Sequence, residues 1–151
     1  MEFGKTKVIL AADHAGFELK EKLKQVLKDN EIPFDDLYPK LIKDDDYPDV
    51  AFKAAQRVAK YKELGVFVCG TGLGMCLAAN KVKGVRATLA YDEATARLSR
   101  QHNDSNVLCL GGRTTDDKTA VSILKTWLTT RFLEGPYARR VEKIKRFEGG
   151  L

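Results

Sequence analysis

The sequence predicts an α/β fold: a three-layer αβα sandwich built on a five-stranded, parallel, Rossmann-like sheet. Short and nearly continuous apolar runs recur along the chain, the pattern of strands buried on both faces. Stretches with helical apolar spacing stand between them, and this alternation places helices on both sides of a parallel sheet. The 151 residues, 44% apolar and 31% charged, suit a single domain spanning residues 1–151.

The first run, Lys7 to Ala12, reads as a buried strand that ends at Asp13-His14-Ala15-Gly16. From Phe17, the residues Leu19, Leu23, Val26 and Leu27 recur at helical spacing until Asp29-Asn30. Ile32 to Leu37 is a short second strand, which Pro33 marks as an edge. Asp44 to Asp49 reads as a polar loop and Val50 to Lys60 as a helix. Gly65 to Cys69 is a third strand, followed at once by Gly70-Thr71-Gly72-Leu73-Gly74 and a helix through Asn80. Val85 to Ala90 is a fourth strand, and Asp92 caps a helix running to Arg100. Val107 to Leu110 is the fifth strand, a helix spans about residues 116–132, and a basic helix of about residues 137–146 is free to pack on a partner chain.

Composition excludes several classes. No apolar run approaches the roughly 20 residues that cross a bilayer, and Met1 to Lys5 lacks a signal-peptide core, so a cytoplasmic protein without a membrane role is expected. Cys69, Cys76 and Cys109 are an odd count with no Cys-x-x-Cys pair, which points to free thiols and to no metal site. The net charge of +5 comes from 26 basic and 21 acidic residues. Most of the basic residues are interleaved with acids, as on a solvated helix face, so a small anionic ligand is expected rather than nucleic acid.

Ligands of such sheets bind beyond the carboxyl ends of the strands. The glycine-rich turn at residues 70–74 would offer backbone N–H groups to an anion, or would simply be a tight strand-to-helix turn. Met75 stands where a dinucleotide fingerprint needs glycine, and the Gly-Lys-Ser/Thr ending of a nucleotide P-loop is absent. Cys69, set against those amides, is either a thiolate base or a buried packing residue; Cys76 and Cys109 read as packing residues. His14 and His102, the two histidines, sit beside Asp13 and Asn103-Asp104 as candidate acid–base groups. Arg113 and the Arg139-Arg140 pair could hold a phosphate, or the pair could line a solvated helix. His102 lies at the wrong end of its helix to reach Cys69 within one chain, and an active site shared by two chains resolves this.

Together the segments Ala12-Asp13-His14-Ala15-Gly16-Phe17, Asp46-Tyr47-Pro48-Asp49, Cys69 to Gly74, Ala78-Ala79-Asn80-Lys81, Gly84 to Ala87, Ser99 to Leu108 and Leu110-Gly111-Gly112-Arg113 resemble a known family. It is the sugar-phosphate isomerase family that holds type B ribose-5-phosphate isomerases with galactose-6-phosphate and allose-6-phosphate isomerases. The resemblance runs from about residue 7 to 144. It implies aldose–ketose isomerisation of ribose 5-phosphate and ribulose 5-phosphate through an enediolate, with no metal and no organic cofactor. By the same resemblance Cys69 is the base, the amides from Gly70 through Gly72 to Gly74 hold the enediolate, and Thr71 and His102 assist ring opening. Asp13, Tyr47 and Asn103 would orient sugar hydroxyls, and His14, Arg113 and Arg140 would hold the phosphate. The family implies a homodimer or homotetramer in which His102, Asn103 and Arg113 serve the partner's Cys69.

The chain departs from the family pattern twice. Where one branch uses Ser as base with a Glu after the glycine turn, this chain has Cys69 and Met75, which cannot ionise. The C-terminal phosphate segment, commonly Gly-Arg-His-x-x-Arg, reads Gly135-Pro136-Tyr137-Ala138-Arg139-Arg140, so one cation is missing. That leaves two alternatives open, an isomerase for allose 6-phosphate or another hexose 6-phosphate, and a non-catalytic sugar-phosphate-binding protein.

Overall fold

A computed structural model describes residues 4–150. The elements are β1 (Val8–Ala12), α1 (Phe17–Asp29), β2 (Phe34–Asp36), α2 (Tyr47–Tyr61), β3 (Leu64–Cys69), α3 (Leu73–Ala79), β4 (Ala87–Leu89), α4 (Glu93–Asn103), β5 (Val107–Gly111), α5 (Asp117–Thr129) and α6 (Pro136–Gly150). All strand pairs are parallel, in the order β2-β1-β3-β5-β4. The expected five-stranded αβα sandwich is therefore what forms.

Side chains alternate across the sheet, so each central strand feeds two cores. Val8, Leu10, Val66, Val68, Leu108 and Leu110 face one side, with Leu19 and Leu23 of α1 and Ile123 and Trp127 of α5. Ile9, Ala11, Phe67, Cys69 and Cys109 face the other, against Ala54 and Val58 of α2 and Met75 of α3. This two-sided burial explains why β1, β3 and β5 read as unbroken apolar runs, whereas the edge strands β2 and β4 have only three residues each, all half-buried.

Several boundaries differ from the sequence reading. The polar loop expected at residues 44–49 is cut short by α2, which begins at Tyr47 because Asp46 is its N-cap and Pro48 fits a first turn. His102 and Asn103, expected in a loop, form the last turn of α4; the chain leaves the helix at Asp104, whose φ of 47° is left-handed. α5 ends at Thr129, short of residue 132. α6 begins on Pro136 and runs on to Gly150, past the expected residue 146.

A buried polar relay fixes the end of α4. The indole N–H of Trp127 donates to Ser105 Oγ at 2.8 Å, and Ser105 Oγ shares a 2.9 Å hydrogen bond with Ser99 Oγ. Trp127 is fully buried. Replacing it with alanine should destabilise the protein by about 3–5 kcal/mol, read as a lowered urea midpoint.

Candidate active site

The strand order reverses direction between β1 and β3: β2 lies on one side of β1, and the remaining strands lie on the other. Loops leaving the carboxyl ends at such a point diverge and open a crevice. The segment from Asp13 to Gly16 and the turn from Gly70 to Gly74 border it.

Cys69 ends β3 and is 4% exposed. The Gly72 amide donates to its sulfur at 3.2 Å. Gly72 reaches that position with φ of 79°, a left-handed conformation that suits glycine. Thr71 is exposed, and its Oγ1 accepts the Leu73 amide at 3.3 Å at the start of α3. A Cβ on Gly74 would stand 2.6 Å from the Tyr47 ring, so the missing side chain is what lets Tyr47 lie over the turn.

Asp13 is buried and accepts the Gly16 amide at 3.0 Å. Burial pushes its carboxyl up, against the lowering pull of that amide. His14 is exposed, and its backbone N–H and Nδ1 both meet Asp45 Oδ1, at 2.7 and 2.9 Å. Asp45 thereby holds the imidazole above its usual pKa. The sequence reading missed Asp45, which only the fold brings against His14 from the acidic loop. Donor atoms of Asp13, His14 and Asp45 lie within 4.8 Å of one another, the one such trio among the described residues. Hydrogen bonds join His14 to Asp45, while Asp13 is held by the Gly16 amide.

Arg113 corrects one expectation. Its amide donates to the Gly70 carbonyl at 2.9 Å, and its Nη1 lies 3.4 Å from where a Gly70 Cβ would stand. It therefore belongs beside the Cys69 of its own chain rather than the partner's, because β5 ends next to β3. With His14 and Lys22 it lines a hollow of ≈ 350 Å³. Lys22 is already paired with Asp117 and Glu18, so His14 and Arg113 are the cations best placed for an anion.

His102, Asn103 and Arg140 lie elsewhere. The Asn103 carbonyl accepts from Arg86 Nε at 3.0 Å, just before β4, and Asn106 accepts the Gly65 amide, at the amino end of β3. The steps from Gly65 to Cys69 alone span about 13 Å. The His102 ring stacks on Tyr137, with centroids 4.1 Å apart, and the Arg140 guanidinium lies 5.9 Å over Tyr137. The candidate residues thus fall into two groups at opposite ends of the sheet.

Cys109 is fully buried, with half-buried Cys76 packed against the same core. Desolvation pushes the Cys109 thiol up, and neighbouring Cys109 brings the Cys76 thiol down to about 7. Two wider hollows, ≈ 450 and ≈ 540 Å³, open at the amino ends of the strands, away from Cys69. No helix among the described residues is long and apolar enough to cross a membrane.

A parallel αβα sandwich with a thiol beside a glycine turn, and a histidine–arginine pair beyond it, defines a binding crevice for a small anion with acid–base chemistry at hand. The chain belongs to the Ribose/Galactose Isomerase family, which it matches over residues 8–144. It is 44% identical over 144 residues to a probable ribose-5-phosphate isomerase B of Mycoplasma genitalium, covering 93% of this chain and 95% of that protein. It is also similar to the crystal structure of ribose-5-phosphate isomerase B from the same organism with bound ribulose-5-phosphate, at 42% identity, TM-score 0.92 and coverage of 96% and 97%. The Clostridium thermocellum ribose-5-phosphate isomerase B superposes with TM-score 0.91 at 39% identity, covering 95% of this chain and 97% of that one.

Two outcomes follow from this geometry. His14 keeps its charge up to its raised pKa and loses it as pH rises through that value, and a phosphate bound there would be released with it. Asp45→Asn should move the His14 midpoint down in an NMR titration, with phosphate affinity lost at a lower pH than in the parent. Gly74→Ala should displace the Tyr47 ring and raise KM, while the urea midpoint changes far less.

Proposed function

We propose that the protein interconverts D-ribose 5-phosphate and D-ribulose 5-phosphate, with Cys69 as the base. The Gly72 amide aimed at the Cys69 sulfur is the observation that carries this reading. The thiolate takes the C2 proton, the C2–H electrons form the C1=C2 bond, and charge develops on O1. Amides of the turn from Gly70 to Gly74 stabilise that enediolate; a single such donor is typically worth about 3 kcal/mol. A proton passes from O2 to O1, the Cys69 thiol returns its proton to C1, and O2 becomes the carbonyl oxygen.

His14 and Arg113 of the same chain bind the phosphate, and Asp13 and Tyr47 orient hydroxyls. The second half-site comes from another copy, whose His102 and Thr71 of the first chain assist ring opening while its Asn103 and Arg140 hold the sugar and phosphate. Leu73 and Leu77 on α3, 56% and 67% exposed beside the Cys69 turn, give an apolar face for that second copy. We place the reaction in the cytoplasm, where free thiols such as these persist.

Turnover of ribose 5-phosphate should persist in excess chelator and vanish in Cys69→Ala. A chelator-abolished rate, or an active alanine variant, defeats the mechanism. Allose 6-phosphate run alongside tests the hexose alternative, since Pro136 offers no cation where relatives place one. Cys69→Ala and His102→Ala chains, each inactive or slow alone, should recover about a quarter of the parent rate when co-refolded in equal amounts, because half of the dimers then hold one intact site. No recovery would place the whole site within one chain.

A further inference from the structure

Among the described residues, no group hydrogen-bonds either ring nitrogen of His102, so the usual means of orienting a catalytic imidazole is missing. The last side-chain torsion of histidine is broad, and an unanchored ring would sample many planes. What constrains it here is a face. The Tyr137 ring lies on the imidazole with planes 9° apart and centroids 4.1 Å apart, and Arg140 flanks Tyr137 at 5.9 Å. Both ends of the stack are tied down. The Leu133 amide donates to the Gln101 carbonyl at 3.1 Å, next to His102, and the Tyr137 amide donates to Glu134 at 3.1 Å as α6 begins.

We propose that Tyr137 is a positioning residue, holding the His102 imidazole in the plane from which a ring nitrogen reaches the sugar ring oxygen of the site it serves. The stack leaves both nitrogens free for proton transfer while removing the rotation that would misaim them. Tyr137 and His102 belong to one chain, so the pair enters the shared site as a unit. This rests on the reading of His102 as a ring-opening group.

Ring opening breaks the C1–O4 bond, releases the C1 hydroxyl proton as the aldehyde forms, and places a proton on O4. The aldose must pass this step before the C2 proton can be taken, whereas the ketose reaches the open-chain aldehyde first, and that aldehyde can leave and close unaided in solution. Ribulose 5-phosphate, with its O5 phosphorylated, has no hydroxyl placed to close a stable furanose and is acyclic. Saturated initial rates (kcat) should therefore be measured in both directions for the parent, His102→Ala, Tyr137→Ala, Tyr137→Phe and Tyr137→Leu, with melting curves for each, since the ratio of kcat/KM in the two directions is fixed by the equilibrium constant.

Tyr137→Ala and Tyr137→Leu should slow the aldose roughly two- to tenfold, the range a stacking contact supports, and leave the ketose rate near that of the parent. Tyr137→Phe should match the parent in both directions. The Leu variant keeps apolar bulk against α4, so it answers the question if the Ala variant unfolds. Equal slowing of both directions, or a Phe variant as slow as Leu, overturns the proposal in favour of a structural or hydroxyl role. If His102→Ala itself leaves the aldose rate unchanged, the ring-opening reading fails; if His102→Ala is slow on the aldose and the Tyr137 variants are not, only the positioning role fails.

Discussion

The close approach of α1 to the carboxyl end of β3 is the constraint on which the site depends. A Cβ on Gly16 would sit 2.2 Å from the Val68 carbonyl oxygen, so the turn into α1 can lie against β3 only with glycine there. That contact brings Asp13 and His14 up to Cys69 and the glycine turn. The same end of the sheet receives Arg113, because β5 pairs with β3 through Cys69 and Gly111. A larger residue at position 16 would therefore disturb binding and chemistry together.

Charge is placed unevenly along this crevice. Asp45 spends its Oδ1 on two contacts to His14, one to the backbone and one to the ring, which orients the imidazole and raises its pKa. The carboxylate is mostly covered, with 12% of its side chain exposed, so water screens the pair less than it would on an open surface. Cys69, one strand away, faces an amide rather than a cation.

The cluster around His102 is built on helix ends instead of strand ends. Trp127, Ser105 and Ser99 lock the last turn of α4, and Asp104 turns the chain out of it. Pro136 costs the segment a cation but starts α6 cleanly, and Tyr137 then falls on His102. The departure that removes a cation in sequence thus supplies an aromatic face in three dimensions. The His102 end and the Cys69 end of the sheet lie too far apart to meet within one chain.

Much of this was legible in the order of residues. The apolar runs of β1, β3 and β5 reported strands buried on two faces, and Gly70 to Gly74 reported a turn of close backbone contacts, because both are local consequences of composition and spacing. The position of His102 at the far end of its unit was equally visible, since a helix returning along a parallel strand must end at that strand's amino edge. Only the tertiary structure decided that Arg113 lies with its own Cys69, that Asp45 clamps His14 across 31 residues, and that Tyr137 covers His102. These pairings depend on strand order and on where a loop and a terminal helix come to rest, which no local pattern encodes.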